Sequence, residues 1–431
     1  METMSAADPH SVIRLRETVG GWDGFEVAAV ATEDAPQPDV LGDPAPRLVI
    51  TLRPAPGVVK RCSQCGTPVA RVHETTVRRV RDLPVMQWDT WLLVPRARVE
   101  CPRCGPTVEA VAWLDKYARM TTRLAAKIAG LAQVLPITQV AAWFRVGWDT
   151  VKQIDQRALA RRLGRMEDHL DGLTQLAVDE FAIEKGHRDV TIVLDVVTKR
   201  VVWLVRGRGE DALASFFTAL GPARCAAITA VTCDLWGPYT TQVRRSYPQA
   251  ALVYDAFHLI ARYGQDVVDR VRVDETNRIA RAAGQGAVRD ARRVIKGTRW
   301  LLLKNAPNLR AAERVRLREL LAANRALFTV SVLKDDCKQL WRYRAVHAAK
   351  RWWAQWRRRA RASRLVPLQQ FVTRLERHLP GILALCRYPL STGILEGCNN
   401  KIKVPKRMAY GYRDDAYFFL EIRAAFSGFP G

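Results

Sequence analysis

Leu176-Ala177-Val178-Asp179-Glu180 and Ile228-Thr229-Ala230-Val231-Thr232-Cys233-Asp234 are two apolar runs, each closing on an acid. Each reads as a buried β-strand that delivers a carboxylate at its C-terminal end. A third acid, Glu396, lies near the end of the chain in a helical pattern, Ser391-Thr392-Gly393-Ile394-Leu395-Glu396-Gly397-Cys398-Asn399-Asn400-Lys401-Ile402-Lys403. Neighbouring strands lie roughly 5 Å apart, so carboxylates on adjacent strand ends can share metal ions. A third from a helix completes a two-metal site of the kind that breaks and joins phosphodiesters.

Working outward, strand signals occupy 173–179, 189–197 and 200–205, the last two close enough for a hairpin. Helices at 211–220 and 239–246 then alternate with strands at 226–233 and 251–254, a mixed α/β layout. Between about 262 and 388 the strand signal vanishes. This stretch is helical and carries Trp300, Trp341, Trp352, Trp353 and Trp356, as an inserted all-α unit would. Glu396 follows it, so its helix must return to the α/β core.

Two other acids compete for the second site. Asp195, in Leu194-Asp195-Val196, lies on the second strand, and Asp255 follows Val253-Tyr254. Asp234 is preferred because Asp234-Leu235-Trp236-Gly237-Pro238 starts a loop at the core edge. Asp255-Ala256-Phe257-His258 reads as a helix start, where Asp255 could cap and His258 could orient a ligand or contact a phosphate. On the Glu396 helix, Ile394, Cys398 and Ile402 share one face and Glu396, Asn399, Asn400 and Lys403 the other. Lys401, Lys403, Lys406, Arg407 and Arg413 continue the basic character, interleaved with Tyr410 and Tyr412.

The chain has 431 residues, with 68 Lys plus Arg against 43 Asp plus Glu, a net charge of +25. A surplus of that size suits a polyanionic partner, above all nucleic acid. No run of about 18 apolar residues occurs and 1–13 carry no signal-like core, so a cytoplasmic protein without a membrane span is expected. Gly207-Arg208-Gly209 lacks the third glycine and the lysine of a phosphate loop, which leaves an ATPase without support.

Cys62, Cys65, Cys101 and Cys104 form two Cys-x-x-Cys knuckles with 35 residues between them. Two knuckles supply a closed tetrahedral thiolate shell for one structural zinc, with disulfide pairing as the alternative. From Thr121 the period is helical, with Leu124, Ile128, Leu131 and Leu135 in one stripe. Val140, Phe144, Val146, Val151 and Ile154, with small Ala141 at the crossing, fit a helix-turn-helix, an ordinary helical hairpin being the alternative. Lys152, Gln153, Gln156 and Arg157 then lie on or near an exposed face, suited to phosphates and base edges.

These motifs together resemble bacterial insertion-sequence transposases of the DDE type, the ISL-three family. The likeness runs in order through the cysteine quartet, the helix-turn-helix, Val178-Asp179-Glu180-Phe181 with Lys185-Gly186-His187, Cys233-Asp234-Leu235-Trp236, Tyr254-Asp255-Ala256-Phe257-His258, and Leu395-Glu396-Gly397 through Lys403. The resemblance implies Asp179, Asp234 and Glu396 as the catalytic triad on a ribonuclease-H-like fold, with the all-α segment interrupting it. It implies Asp255 and His258 as an accessory pair. One departure is Arg145, where a helix-turn-helix usually carries Gly.

The fold expected is therefore multidomain α+β. A zinc ribbon (1–115), a helix-turn-helix (116–168) and a catalytic core (169–262) are followed by an all-α insertion (263–388) and the glutamate helix (389–431). Two Mg or Mn ions are expected in the active site. One would activate a water and later a DNA 3′-hydroxyl; the other would stabilise the departing 3′-oxygen. Expected partners are double-stranded DNA, both transposon ends and target, and a second copy in a homodimer or larger synaptic complex at the bacterial nucleoid. The rival readings are a DNA-binding regulator with a non-catalytic core and a structure-specific nuclease of the same fold.

Overall fold

The computed structural model describes residues 20–34, 46–184, 188–234, 237–282, 298–304, 306–389, 393–409 and 411–426. The side chains of 184, 188, 256, 257, 280, 282, 306 and 393–396 are outside this description. So are Lys185, Gly186, His187, Leu235, Trp236, Tyr410 and the N-terminal residues 1–19. The chain divides into two compact units, one of residues 1–162 with 408–410 and one of 163–407 with 411–431. No described helix is long and apolar enough to cross a membrane.

The first unit is built on a sheet of β1 (Phe25–Glu33), β2 (Arg47–Pro54), β3 (Val72–Arg81), β4 (Asp89–Cys101) and β5 (Gly105–Val108). Its order is β1-β2-β4-β3, with β5 also on β4. The short apolar runs at 90–94 and 96–99, which the sequence presents as separate strand-like stretches either side of Pro95, form one continuous strand, β4. Pro95 is tolerated in mid-strand because β2 pairs with β4 only as far as Leu93 and β5 pairs with β4 only from Arg98, so one side has no ladder bond to lose there. Trp22, Phe25, Ile50, Leu52, Leu92, Val94 and Trp113 fill one core; Val69, Ala97 and Val99 pack around the cysteines in another.

Three helices follow: α1 (Thr122–Ala132), α2 (Ile137–Phe144) and α3 (Trp148–Leu163). Leu124, Ile128, Val140, Ala141, Phe144 and Val151 form their shared core, with Val146 and Ile154 against it. This is the apolar set the helical spacing predicts, except Leu135, which lies past the end of α1 and is exposed. Arg145 closes α2 in the left-handed region, at φ 50° and ψ 48°. That conformation explains why glycine is usual there, and why an arginine needs outside support.

The second unit contains β6 (Gln175–Glu184), β7 (Arg188–Asp195), β8 (Arg200–Arg206), α4 (Glu210–Ala226), β9 (Ala230–Cys233), α5 (Gly237–Ser246) and β10 (Ala251–Tyr254). The sheet order is β10-β9-β6-β7-β8. β6, β7 and β8 pair antiparallel, whereas β9 runs parallel to β6 and β10 parallel to β9. One face packs on α4 and α5 through Leu176, Val178, Phe216, Val231 and Tyr239. The other packs on α13 (Gly393–Met408) and α14 (Asp415–Ala425) through Ala177, Ile192, Cys398, Ile402 and Phe418. The Glu396 helix thus returns to the sheet.

Between β10 and α13 every described element is helical. A single core gathers Leu259, Val267, Val330, Leu333, Trp353, Trp356, Phe371 and Leu375, and Tyr254 of β10 joins it. The helical segment is seated on the sheet at Gly381 of α12 (Val366–Ala384). A Cβ there would lie 2.5 Å from the Tyr254 ring and 2.9 Å from the Leu252 carbonyl oxygen. Gly381→Ala should therefore lower stability by about 2 kcal/mol. Melting should fall by roughly 4–8 °C, and an unchanged Tm would show that the contact is not tight.

Helical spacing in the sequence groups Trp341, Ala345, Ala349, Trp352 and Trp356 in one core stripe and leaves Trp353 beside it, a candidate to stack on an unpaired base. The structure corrects this. Trp353 is 4% exposed and stacks on Trp356 at 5.5 Å. Helix α11 (Val346–Ala362) starts only at Val346 and buries Ala349, Trp353, Trp356 and Ala360, so residues before its first turn could not set its phase. Its basic face is partly neutralised, Arg357 and Arg361 by Glu376 and Arg359 by Asp336.

Candidate active site and zinc site

The register of the parallel strands sets the acidic cluster. Ala177 of β6 pairs with Thr232 of β9, and Tyr254 of β10 with Cys233. Continuing that register puts Asp179, Asp234 and Asp255 at one level across three neighbouring strands, at about 5 Å per step. The Asp255 amide donates to the Cys233 carbonyl at 3.1 Å, which holds the third position in line.

Each acid has different surroundings. Asp179 is 5% exposed; its Oδ1 accepts from the Glu180 amide and its Oδ2 from Asn399 Nδ2, both at 2.8 Å. Burial raises its pKa from 3.8 to about 6 despite those bonds. Asp255 is 2% exposed and accepts from His258 Nδ1 at 2.8 Å. That hydrogen bond, reinforced by the charges of Asp234, Asp255 and Asp179, lifts His258 to about 9. Asp234 differs in that its buried Oδ1 has no hydrogen-bond partner. Asp195, the other rival, accepts from the Val197 and Thr198 amides and so shapes the β7–β8 turn.

Cys398 and Ile402 pin α13 to the sheet, and Asn399, on its other side, reaches Asp179. Glu396 lies one turn earlier on this helix, though its side chain is outside the described residues. Asn400 and Lys403 are exposed and bonded to each other at 3.0 Å. Lys406 donates to the Ala182 carbonyl at 3.0 Å, Arg407 is exposed, and Lys401 lies 4.9 Å from the Phe426 ring. Position and charge alone had not singled out Glu180, which pairs with Arg208 at 3.1 Å on the neighbouring position of β6.

A divalent cation fits this cluster. The buried Asp234 Oδ1 lacks a partner, and burial raises the pKa of the neighbouring Asp179 carboxyl, a cost that a bound cation would offset. The metal-free protein should consequently respond to pH in two windows. Asp179 favours the folded state when protonated, so its contribution is lost as pH rises from about 4 to about 6, about 3 kcal/mol for that shift. His258 stabilises fully below 6.5 and that contribution is lost as pH rises through about 9. Thermal melts in chelator should fall across both windows; Asp179→Asn should remove the first decline and His258→Gln the second. A flat profile in wild-type protein would contradict both assignments.

In the first unit, the Sγ atoms of Cys62, Cys65, Cys101 and Cys104 all lie within 4.8 Å of one another. Among the described residues no other set of three such ligand groups comes as close. All four thiols are free, and Cys65 and Cys101 stand 3.6 Å apart, the separation of two ligands on one ion. Gly66 and Gly105 take φ 69° and 71°, so each knuckle turns where only glycine is unstrained. The Gln64 amide donates to Cys62 Sγ at 3.4 Å. Hydrogen bonding with Thr67 lowers Cys65 to about 6, whereas hydrogen bonding with Cys65 pushes Cys104 up to about 12. A dication between them would hold all four as thiolates.

On α3, Val151, Asp155 and Leu159 are buried, Gln153 and Arg157 are exposed, and Lys152 and Gln156 are half-buried between. The four polar residues are thus brought to the outward side of the helix. Trp143 and Trp148 flank the turn at 66% and 46% exposure, with Lys152 Nζ 6.0 Å from the Trp148 ring.

The family model described as "Transposase" matches residues 176–422. "Helix-turn-helix domain of transposase family ISL3" matches 109–159, and "zinc-finger of transposase IS204/IS1001/IS1096/IS1165" matches 59–104. The chain belongs to the ISL3 family of insertion-sequence transposases. It is similar to the transposase of insertion sequence IS1001 from Bordetella parapertussis, 45% identical over 416 residues, covering 96% of this chain and 98% of that one. The IS1557 transposase of Mycobacterium tuberculosis is 30% identical over 392 residues, 87% of each chain. The ISL3 chain is therefore a DDE-type transposase, an enzyme that cleaves and rejoins DNA, with a zinc ribbon and a helix-turn-helix ahead of its transposase domain. A purely regulatory DNA-binding role is not favoured.

Proposed function

We propose that this transposase binds the terminal inverted repeats of its own element and cuts and joins them at a site made by Asp179, Asp234 and Glu396. The observation that carries this is the row of acids across β6, β9 and β10, with the Glu396 helix packed on the same sheet. A ribonuclease-H-like fold is the frame we infer. Supporting it are the central β6, its antiparallel hairpin neighbours β7 and β8 on one side, and the parallel β9 and β10 on the other. The functional boundaries are read as a ribbon to about 115, a helix-turn-helix to 168, a core at 169–262 and 389–431, and an all-α insertion at 263–388.

The triad would hold two divalent cations, Mg or Mn, which supply activation of the attacking oxygen and stabilisation of the leaving 3′-oxygen. The chain's own groups do the rest. Asn399 fixes the Asp179 carboxylate, and Asp255 holds His258 in its cationic form, facing the acids, where it can meet a DNA phosphate. Asn400, Lys401, Lys403, Lys406 and Arg407 line the continuing basic helix for the strand backbone. Lys152, Gln153, Gln156 and Arg157 would read the inverted repeat, while the ribbon, carrying one structural zinc, touches an adjoining segment. Two ends must meet one target, so the working form is a homodimer or larger assembly, acting in the cytoplasm at the nucleoid.

The test is a duplex carrying the element's end, incubated with protein and Mg²⁺. Cleavage at the end, followed by covalent joining of its 3′ strand to a second duplex, is the expected result. Cleavage of branched DNA without joining would instead favour a nuclease.

A further inference from the structure

Two buried aspartates at the edge of the ribbon sheet hold the helix-turn-helix. Asp82, 1% exposed, follows β3 and accepts from Thr121 Oγ1 at 2.6 Å, Arg123 Nε at 2.8 Å and Trp22 Nε1 at 2.8 Å. Thr121 is the N-cap of α1, so this acid fixes where the helical part begins. Asp89, 7% exposed, opens β4 and pairs with Arg81 at 2.9 Å and Arg145 at 2.5 Å. Arg145 is the left-handed residue of the turn before α3, and Arg81 also donates to the Phe144 carbonyl of that turn. The turn that launches the reading helix is thereby bonded to the sheet strand that ends in Cys101. Apolar contact completes the joint, since Leu83 and Met120 pack against the core of the three helices.

Attachment at two separated points, each buried and charge-assisted, fixes orientation as well as position. A flexible linker would require neither acid, and a solvated joint would not bury them. The left-handed arginine fits the same account, because its ion pair with Asp89 compensates a backbone conformation that glycine would adopt freely.

We propose that Asp82 and Asp89 are positioning residues that make the zinc ribbon and the helix-turn-helix one rigid reader of transposon-end DNA. The two DNA segments they touch must then lie at one fixed spacing and helical phase. This rests on the reading that both parts contact the end. Two modules held rigidly gain avidity only when both reach their segments together, and lose it when geometry forbids this. Two inserted base pairs rotate one segment by roughly 70° relative to the other.

The experiment uses full-length protein and footprinting to map the two protected segments, then an end with two base pairs inserted between them. Wild type should lose on the order of 100-fold in affinity on the inserted end. Asp89→Asn should bind the natural end more weakly, yet lose no more than about threefold on insertion, with zinc content and α3 contacts retained. Arg145→Ala, which removes the same pair from its more exposed side, should behave alike and serves if Asp89→Asn does not fold. Equal tolerance of the insertion by wild type, or equal sensitivity of the variants, overturns the rigid reader. A footprint confined to the helix-turn-helix segment would instead show that the ribbon does not contact the end, and the proposal falls with that reading.

Discussion

Asp179→Asn, Asp234→Asn and Glu396→Gln should each stop end cleavage, lowering its rate by about a thousandfold or more, since groups acting as one unit lose most of their effect when any is removed. Binding of the end should persist in all three, because the proposed readers lie on α3 and the ribbon. Asp179→Asn carries an additional signature. It replaces a buried carboxyl, raised to about 6, with a neutral side chain of the same size. The metal-free variant should be at least as stable as wild type at pH 7.5 while being inactive. Substitution also discriminates between Asp234 and its neighbour Asp255. Asp255 is engaged by His258 and Asp234 has an unpartnered oxygen, so Asp255→Asn should slow cleavage without removing it. Abolition by Asp255→Asn together with survival of Asp234→Asn would reverse that assignment.

Cys101→Ser should have the largest effect on the fold. The four thiols close around one point, and structural zinc contributes an apparent 10–16 kcal/mol in small zinc-binding peptides, far more than a small core does. The variant should lose its zinc, melt the ribbon and lose end binding, while the transposase domain retains its far-UV signal. Elemental analysis of wild type should give about one zinc per chain. Zinc-free wild-type protein that melts normally, with all four thiols open to alkylation, would sink this expectation.

The cysteine quartet, the apolar set of the helix-turn-helix and the placement of Asp234 just past a strand end were legible in the sequence; Asp179, expected to end its strand, instead lies in mid-β6, which runs on to Glu184. Each legible feature depends on short-range rules: two residues between thiolates, a period of 3.6, a period of two ending on a polar residue. Arg145 was visible as an oddity in a place that favours glycine, but its reason was not. Trp353 shows how the same rules fail, for a period identifies a stripe only once the helix start is known, and Val346 was not marked by any cap.

The sequence by itself determined which side chains could carry the chemistry, because ligand spacing and hydrophobic period are properties of neighbouring residues. Tertiary structure alone decided which of them meet. The alignment of Asp179, Asp234 and Asp255 comes from the register of parallel strands joined by α4 and α5, and Asn399 reaches Asp179 across 220 positions of chain. Asp89 finds Arg145 across 56. Such pairings are set by how layers pack and where burial forces charges to be matched, and no local pattern encodes that distance.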